Sequence, residues 1–130
     1  MELGIGEVAR RVGVRPSAVR YYETRGLIVP DGRKGGKRVY GQEAVERMAL
    51  ITFAKNLGFS LDEIRTLLTG FAPDTTAGAR WSTLAATKLV ELDAMTQRIE
   101  TMRTALQRIS HCGCHDLDQC SRAIAAKNCR

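Results

Sequence analysis

The sequence predicts a mainly α-helical chain in two parts. A small N-terminal domain of short helices with a two-stranded wing is followed by one long helix and a short cysteine-rich loop. Three observations predict this. Apolar residues recur at helical spacing in four short stretches within the first 70 residues. Beyond them, one long stretch repeats at intervals of 3-4-3-4-3. Only three Phe, three Tyr and one Trp are present, too few for a large aromatic β core. A length of 130 residues fits one compact domain, or a small domain with an appendage.

In the first stretch Ile5, Val8, Ala9 and Val12 share a helical face, and Gly13 ends it as a left-handed glycine would. Pro16 fits the first turn of a second helix, where its missing N–H costs nothing. That helix runs to Arg25 and stops near Gly26, so two short helices joined by a tight turn form a helix-turn-helix candidate. Leu27-Ile28-Val29 reads as a strand that Pro30 breaks. Arg33-Lys34-Gly35-Gly36 supplies a basic turn and Lys37-Arg38-Val39-Tyr40 a returning strand, together a small wing. The alternative for this segment is a plain surface loop.

A third helix begins near Gln42, with Val45, Met48, Ala49, Thr52, Phe53 and Leu57 on one stripe, and closes at Gly58. Ser60-Leu61-Asp62-Glu63 spells a capping box for a fourth helix that buries Ile64, Leu67 and Leu68 and stops at Gly70. Residues 1–70 therefore form the first domain and 71–79 a linker. Residues 80–111 form the long helix, on which Leu92, Met95, Ile99, Met102, Leu106 and Ile109 make a coiled-coil seam that Trp81 extends backwards. A helix of this length cannot bury such a seam alone, so a homodimer is expected; the alternative is folding back on its own chain. Residues 112–130 form a cysteine-rich tail.

Charge separates the two ends. The net charge is +6, and residues 1–41 hold nine basic residues against four acidic ones, which points to a polyanion docking there or to a solvated basic face. All four cysteines (Cys112, Cys114, Cys120 and Cys129) lie in the last nineteen residues. No long apolar run and no signal-peptide pattern is read at the start, so a cytoplasmic location without a membrane is expected. In that compartment clustered cysteines bind metal or sense redox state more often than they form structural disulfides. Gly113 lets Cys112 and Cys114 face one ion, and three thiolates with His115, His111 or Cys129 as a fourth ligand would suit zinc or another thiophilic metal. No Cys-x-x-Cys, phosphate loop or Ser/His/Asp pattern speaks for an enzyme.

Taken together, Ile5-Gly6-Glu7-Val8-Ala9, Val14-Arg15-Pro16-Ser17-Ala18-Val19-Arg20-Tyr21-Tyr22-Glu23, Gly26-Leu27-Ile28 and Arg38-Val39-Tyr40 resemble the MerR family of transcription regulators. The resemblance covers residues 4–70 by motif and the long helix by architecture. It implies a winged helix-turn-helix DNA-binding domain, an antiparallel helical dimer and an effector loop after the long helix. The C-terminal part is most similar to the SoxR branch, through Trp81, Glu91-Leu92-Asp93 and Cys112-Gly113-Cys114 with Cys120 after five residues. That branch holds a [2Fe–2S] cluster on four cysteines. Here the slot three before Cys112 is Ile109, so a single soft ion is expected over a [2Fe–2S] cluster.

The resemblance implies binding to a pseudo-palindromic operator in double-stranded promoter DNA. It also implies bending and untwisting of the spacer between widely set promoter elements, which acts indirectly on RNA polymerase. On the recognition helix, Pro16 to Arg25, the residues expected toward the DNA are Arg15, Ser17 and Arg20, with Tyr21 or Tyr22 donating to a phosphate. Arg20 either reads guanine through its fork or pairs with Glu23. Arg33, Lys34, Lys37, Arg38 and Tyr40 are expected to grip the backbone. Two other readings compete: a DNA-binding protein with a purely structural zinc, and a thiol oxidoreductase.

Overall fold

The computed structural model describes residues 2–128, so Cys129, a candidate fourth ligand, lies outside the described residues. The chain divides into two compact units between Leu84 and Ala85. The first unit holds α1 (Ile5–Val12), α2 (Pro16–Thr24), β1 (Gly32–Lys34), β2 (Lys37–Val39), α3 (Gln42–Asn56), α4 (Leu61–Thr69) and the first turns of α5 (Ala77–Ile109). The second holds the rest of α5 and α6 (Leu117–Ala125). Among the described residues no helix is long and apolar enough to cross a membrane.

Local sequence accounts for most helix ends. Gly13 is left-handed (φ 82°) and its N–H donates to the Ala9 carbonyl, which ends α1. Ser60 and Glu63 form the full capping box at the start of α4. In the wing, Arg33 lies opposite Arg38 and Lys34 opposite Lys37. Gly35 and Gly36 (φ 61° and 79°) give this two-residue turn the left-handed pair that a twisted hairpin needs.

Four expectations are corrected. Leu27-Ile28-Val29 is not a strand: the Leu27 N–H caps α2 by donating to the Tyr22 carbonyl, and Leu27 and Ile28 enter the core from a loop. On α3 the buried face is Ala44, Met48, Ile51 and Ala54, while Phe53 and Leu57 are exposed. Two apolar stripes adjoin on that helix, and the side against which α1 packs decides which is covered. Trp81 is not on an open seam; its ring packs edge-on against Phe53 and Phe59 within the first unit. Tyr40 is wholly buried, held by a two-way backbone bridge to Leu3, so it belongs to the core and has no surface with which to grip a DNA backbone.

The core of the first unit is built by Val8 and Ala9 of α1, Val19 of α2, Ile28, Tyr40, Met48 and Ile51 of α3, and Ile64 of α4. The long helix begins at Ala77, inside the expected linker, because the Thr76 hydroxyl accepts the Ala79 N–H and caps it. The tail is not all loop. Asp116 accepts the Gln119 N–H at 2.7 Å and starts α6. Along α5, Leu92, Met95, Ile99, Met102, Leu106 and Ile109 are between 43% and 63% exposed, a continuous apolar stripe.

Candidate functional site: a basic groove and a thiol cluster

The nine cations of the first 41 residues sort into two groups. Arg10 and Arg11 both donate to the Glu7 carboxylate, with Arg10 Nη2 at 2.6 Å, and these hydrogen bonds hold Glu7 below the usual carboxylate range. Lys34 pairs with Glu2 at 3.2 Å, and Arg38 Nε donates to Glu23 Oε1 at 2.9 Å. Arg25 lies 5.2 Å over the Tyr21 ring, which in turn meets Tyr22 edge-on. By contrast Arg15, Arg20, Arg33 and Lys37 make no ion pair among the described residues and are exposed.

Three of those four come together. Arg20 of α2 and Arg33, Lys37 and Arg38 of the hairpin line a groove of about 250 Å³ with Gly36 and with Gly4 and Ile5 at the start of α1. No side chain caps that helix start, so its free N–H groups add partial positive charge beside the cations. The groove can hold an anion such as a phosphate. Glu23 is taken by Arg38, which leaves Arg20 available to the groove, so the alternative pairing of Arg20 with Glu23 does not form.

The remaining recognition-helix residues occupy a graded surface. Arg15 is the extended N-cap of α2, Ser17 is exposed in its first turn, and Tyr21 is 44% exposed. Tyr22 is half-buried against the core, and its phenol is pushed up first by burial and then by Tyr21. Burial likewise pushes up the Tyr40 phenol; the Glu23 carboxylate adds to this, while Arg38 and Arg20 pull the other way. Sequence reasoning missed Gly4 and Ile5. The long-range bridge from Leu3 to Tyr40, with the Lys34–Glu2 ion pair, brings the start of α1 beside the wing, and no local pattern announces it.

At the other end, the sulfurs of Cys112, Cys114 and Cys120 all lie within 4.8 Å of one another. The Cys112 N–H donates to the Ile109 carbonyl just past α5, and the Cys114 N–H points at the Cys112 sulfur at 3.4 Å. Cys120 sits in the first turns of α6, its N–H on the Asp116 carbonyl, so the Asp116 cap positions the third thiol. Among the described residues no histidine joins the cluster: His111 and His115 are exposed, and the backbone N–H of His115 donates to Gln119 Oε1. The structure thus gathers three of the expected ligands and neither candidate imidazole. Three half-buried thiols suit a soft ion, since thiolate donors select soft metals; a closed tetrahedral zinc site would need one more donor.

Comparison with known proteins adds to this. Residues 3–70 match the family described as MerR HTH family regulatory protein, and residues 45–109 match the family described as MerR, DNA binding. An uncharacterised HTH-type transcriptional regulator of Pseudomonas aeruginosa is 38% identical over 85% of this chain and 85% of its own length. The mercuric resistance operon regulatory protein of Shigella flexneri is 37% identical over 87% of this chain and 77% of its own. Among solved structures, the transcription regulator PbrR691 of Ralstonia metallidurans in complex with lead(II) has a similar fold. Its TM-score is 0.71 at 23% identity, covering 86% of this chain and 88% of that one.

Proposed function

The chain belongs to the MerR family of helix-turn-helix regulators, and from that premise we propose that it is a homodimeric regulator whose C-terminal thiols take up a soft metal ion and thereby change its effect on promoter DNA. Its fold and relatives are those of transcription regulators, not enzymes. The observation that carries the sensing part is the convergence of three sulfurs within 4.8 Å of one another.

On this reading the exposed cations of α2 and the wing take the phosphates of a double-stranded, pseudo-palindromic operator. Tyr21 and Ser17 lie on the same recognition helix. The apolar stripe of α5 joins two copies, so that two recognition helices meet two half-sites. Cys112, Cys114 and Cys120 hold the ion. When bound, it supplies a cross-link between the end of α5 and α6. A [2Fe–2S] cluster takes four ligands, and Ile109 offers none, so a single soft ion fits the donor set better. The mercury in one relative's name and the lead in one neighbour's title favour the same class of ion.

An ion can alter promoter geometry only by binding two conformers unequally. Smooth bending of the spacer DNA costs on the order of 1–6 kcal/mol, the scale on which such a bias must act to reposition RNA polymerase. The test begins with protein purified without air: about one soft ion per chain is expected after loading with Cd²⁺, with no visible iron–sulfur bands. Cys112→Ser, Cys114→Ser and Cys120→Ser should each remove ion-dependent promoter output in cells and leave metal-free DNA binding intact. Full ion binding with unchanged promoter output would instead support a purely structural ion.

A further inference from the structure

Arg80 is the fourth residue of α5 and is half-buried within the first unit. Its guanidinium is almost fully spent on backbone carbonyls. Nη1 donates to Leu67 at 2.9 Å and Leu68 at 3.1 Å, Nε to Thr75 at 3.2 Å, and Nη2 to Ala72 at 3.4 Å. The same group lies 5.7 Å over the Phe71 ring. Leu67 and Leu68 belong to the last turn of α4, whose carbonyls have no helical partner and which carries no basic residue of its own. One side chain of α5 therefore supplies the cation at the negative end of α4 and ties down the connection between the two helices. The next residue, Trp81, fastens the same turn of α5 to Phe53 and Phe59.

We propose that Arg80 is a positioning residue that locks the first turns of α5 to α4, so that a displacement of α5 is delivered to the helix-turn-helix domain rather than absorbed in the connection. The inference rests on the regulator reading above, because α5 runs on without a break toward the cysteines. A flexible residue at position 80 would let residues 70–76 yield, and the two ends of the protein would each still work without informing one another. A planar fork suits this task. A lysine keeps the charge but cannot spread donors over carbonyls on both sides of the connection.

The experiment uses the full chain and a duplex selected by it from a random-sequence pool. DNA affinity is measured by anisotropy with and without Cd²⁺, and Cd²⁺ affinity by the thiolate charge-transfer absorption. In Arg80→Lys the Cd²⁺ affinity and the metal-free DNA affinity should stay within about twofold of the parent, while the Cd²⁺-induced change in DNA affinity falls by about threefold or more. Arg80→Gln, which keeps two donors without the charge, should lose at least as much.

A parent that responds and an Arg80→Lys variant that responds equally would overturn the locking role alone. A parent indifferent to Cd²⁺ would overturn the regulator reading and this inference with it. If both variants fail to fold, hydrogen exchange of the parent decides: protection of residues 70–76 that does not exceed that of an exposed loop overturns the proposal, and protection matching the last turn of α4 supports it.

Discussion

Arg20 stands in one groove with Arg33, Lys37 and Arg38, and this company changes what its loss should do. A cation that shares a phosphate-sized groove with wing residues contributes to binding on any sequence. Arg20→Ala and Lys37→Ala should each weaken binding to operator and random duplexes alike, and each should lower the slope of log affinity against log salt by about one. Anisotropy titrations over a salt series test this; a loss confined to the operator would make Arg20 a base reader. Tyr40 acts differently, since it is buried. Its phenol is pushed above its ordinary value, so the folded state favours the neutral form. That stability is fully present below the ordinary phenol value of about 10 and is lost as pH rises through the higher folded value. Melting temperatures should therefore fall more steeply above pH of about 10 for the parent than for Tyr40→Phe, with DNA affinity unchanged at neutral pH.

Helix α6 shows how one cap can serve a site several residues away. Asp116 holds the Gln119 N–H, and the turn this creates carries Cys120 to the other two sulfurs. Asp116→Ala should cost α6 about 0.5–2 kcal/mol, and Cd²⁺ affinity should fall accordingly while DNA binding stays unchanged. Calorimetric titration of Cd²⁺ reads this directly, and an unchanged affinity would mean that the thiols assemble without the helix. On α3 the element scale explains a misreading. Ala44, Met48, Ile51 and Ala54 alternate with a second apolar set that includes Phe53 and Leu57, so periodicity alone leaves the helix free to turn. The small Ala44 and Ala54 side chains allow close packing on the side the fold selects.

For the whole molecule, the apolar stripe from Leu92 to Ile109 is too large and regular an exposed surface for a lone helix to keep in water. A second copy is the proposed cover. Ile99→Asp places a charge at the centre of that stripe, where a dimer would bury it without a partner. Light scattering should then report a monomer, and affinity for a two-half-site duplex should fall to that for a single half-site. A stable dimer that still binds both half-sites would refute the assignment of the seam.

Much of this protein is determined locally and was therefore legible in the order of residues. Gly13 ends α1, Ser60 and Glu63 begin α4, Gly35 and Gly36 turn the wing, and the heptads define α5, because each depends on neighbours within one helical turn or one hairpin. The Asp116 cap of α6 is just as local, yet residues 112–130 read in the sequence only as a cysteine-rich tail, and the helix emerged from the structure. Tertiary structure alone decided which face of α3 is buried, that Trp81 and Tyr40 belong to the core, and that Leu27 caps a helix instead of pairing in a sheet. It also decided that three sulfurs meet without either histidine, and that the start of α1 joins the wing in one groove. The physical reason is common to all of these. Each depends on contacts between segments distant in sequence or on the path of a loop, and an apolar or charged side chain does not itself specify which distant surface it will meet.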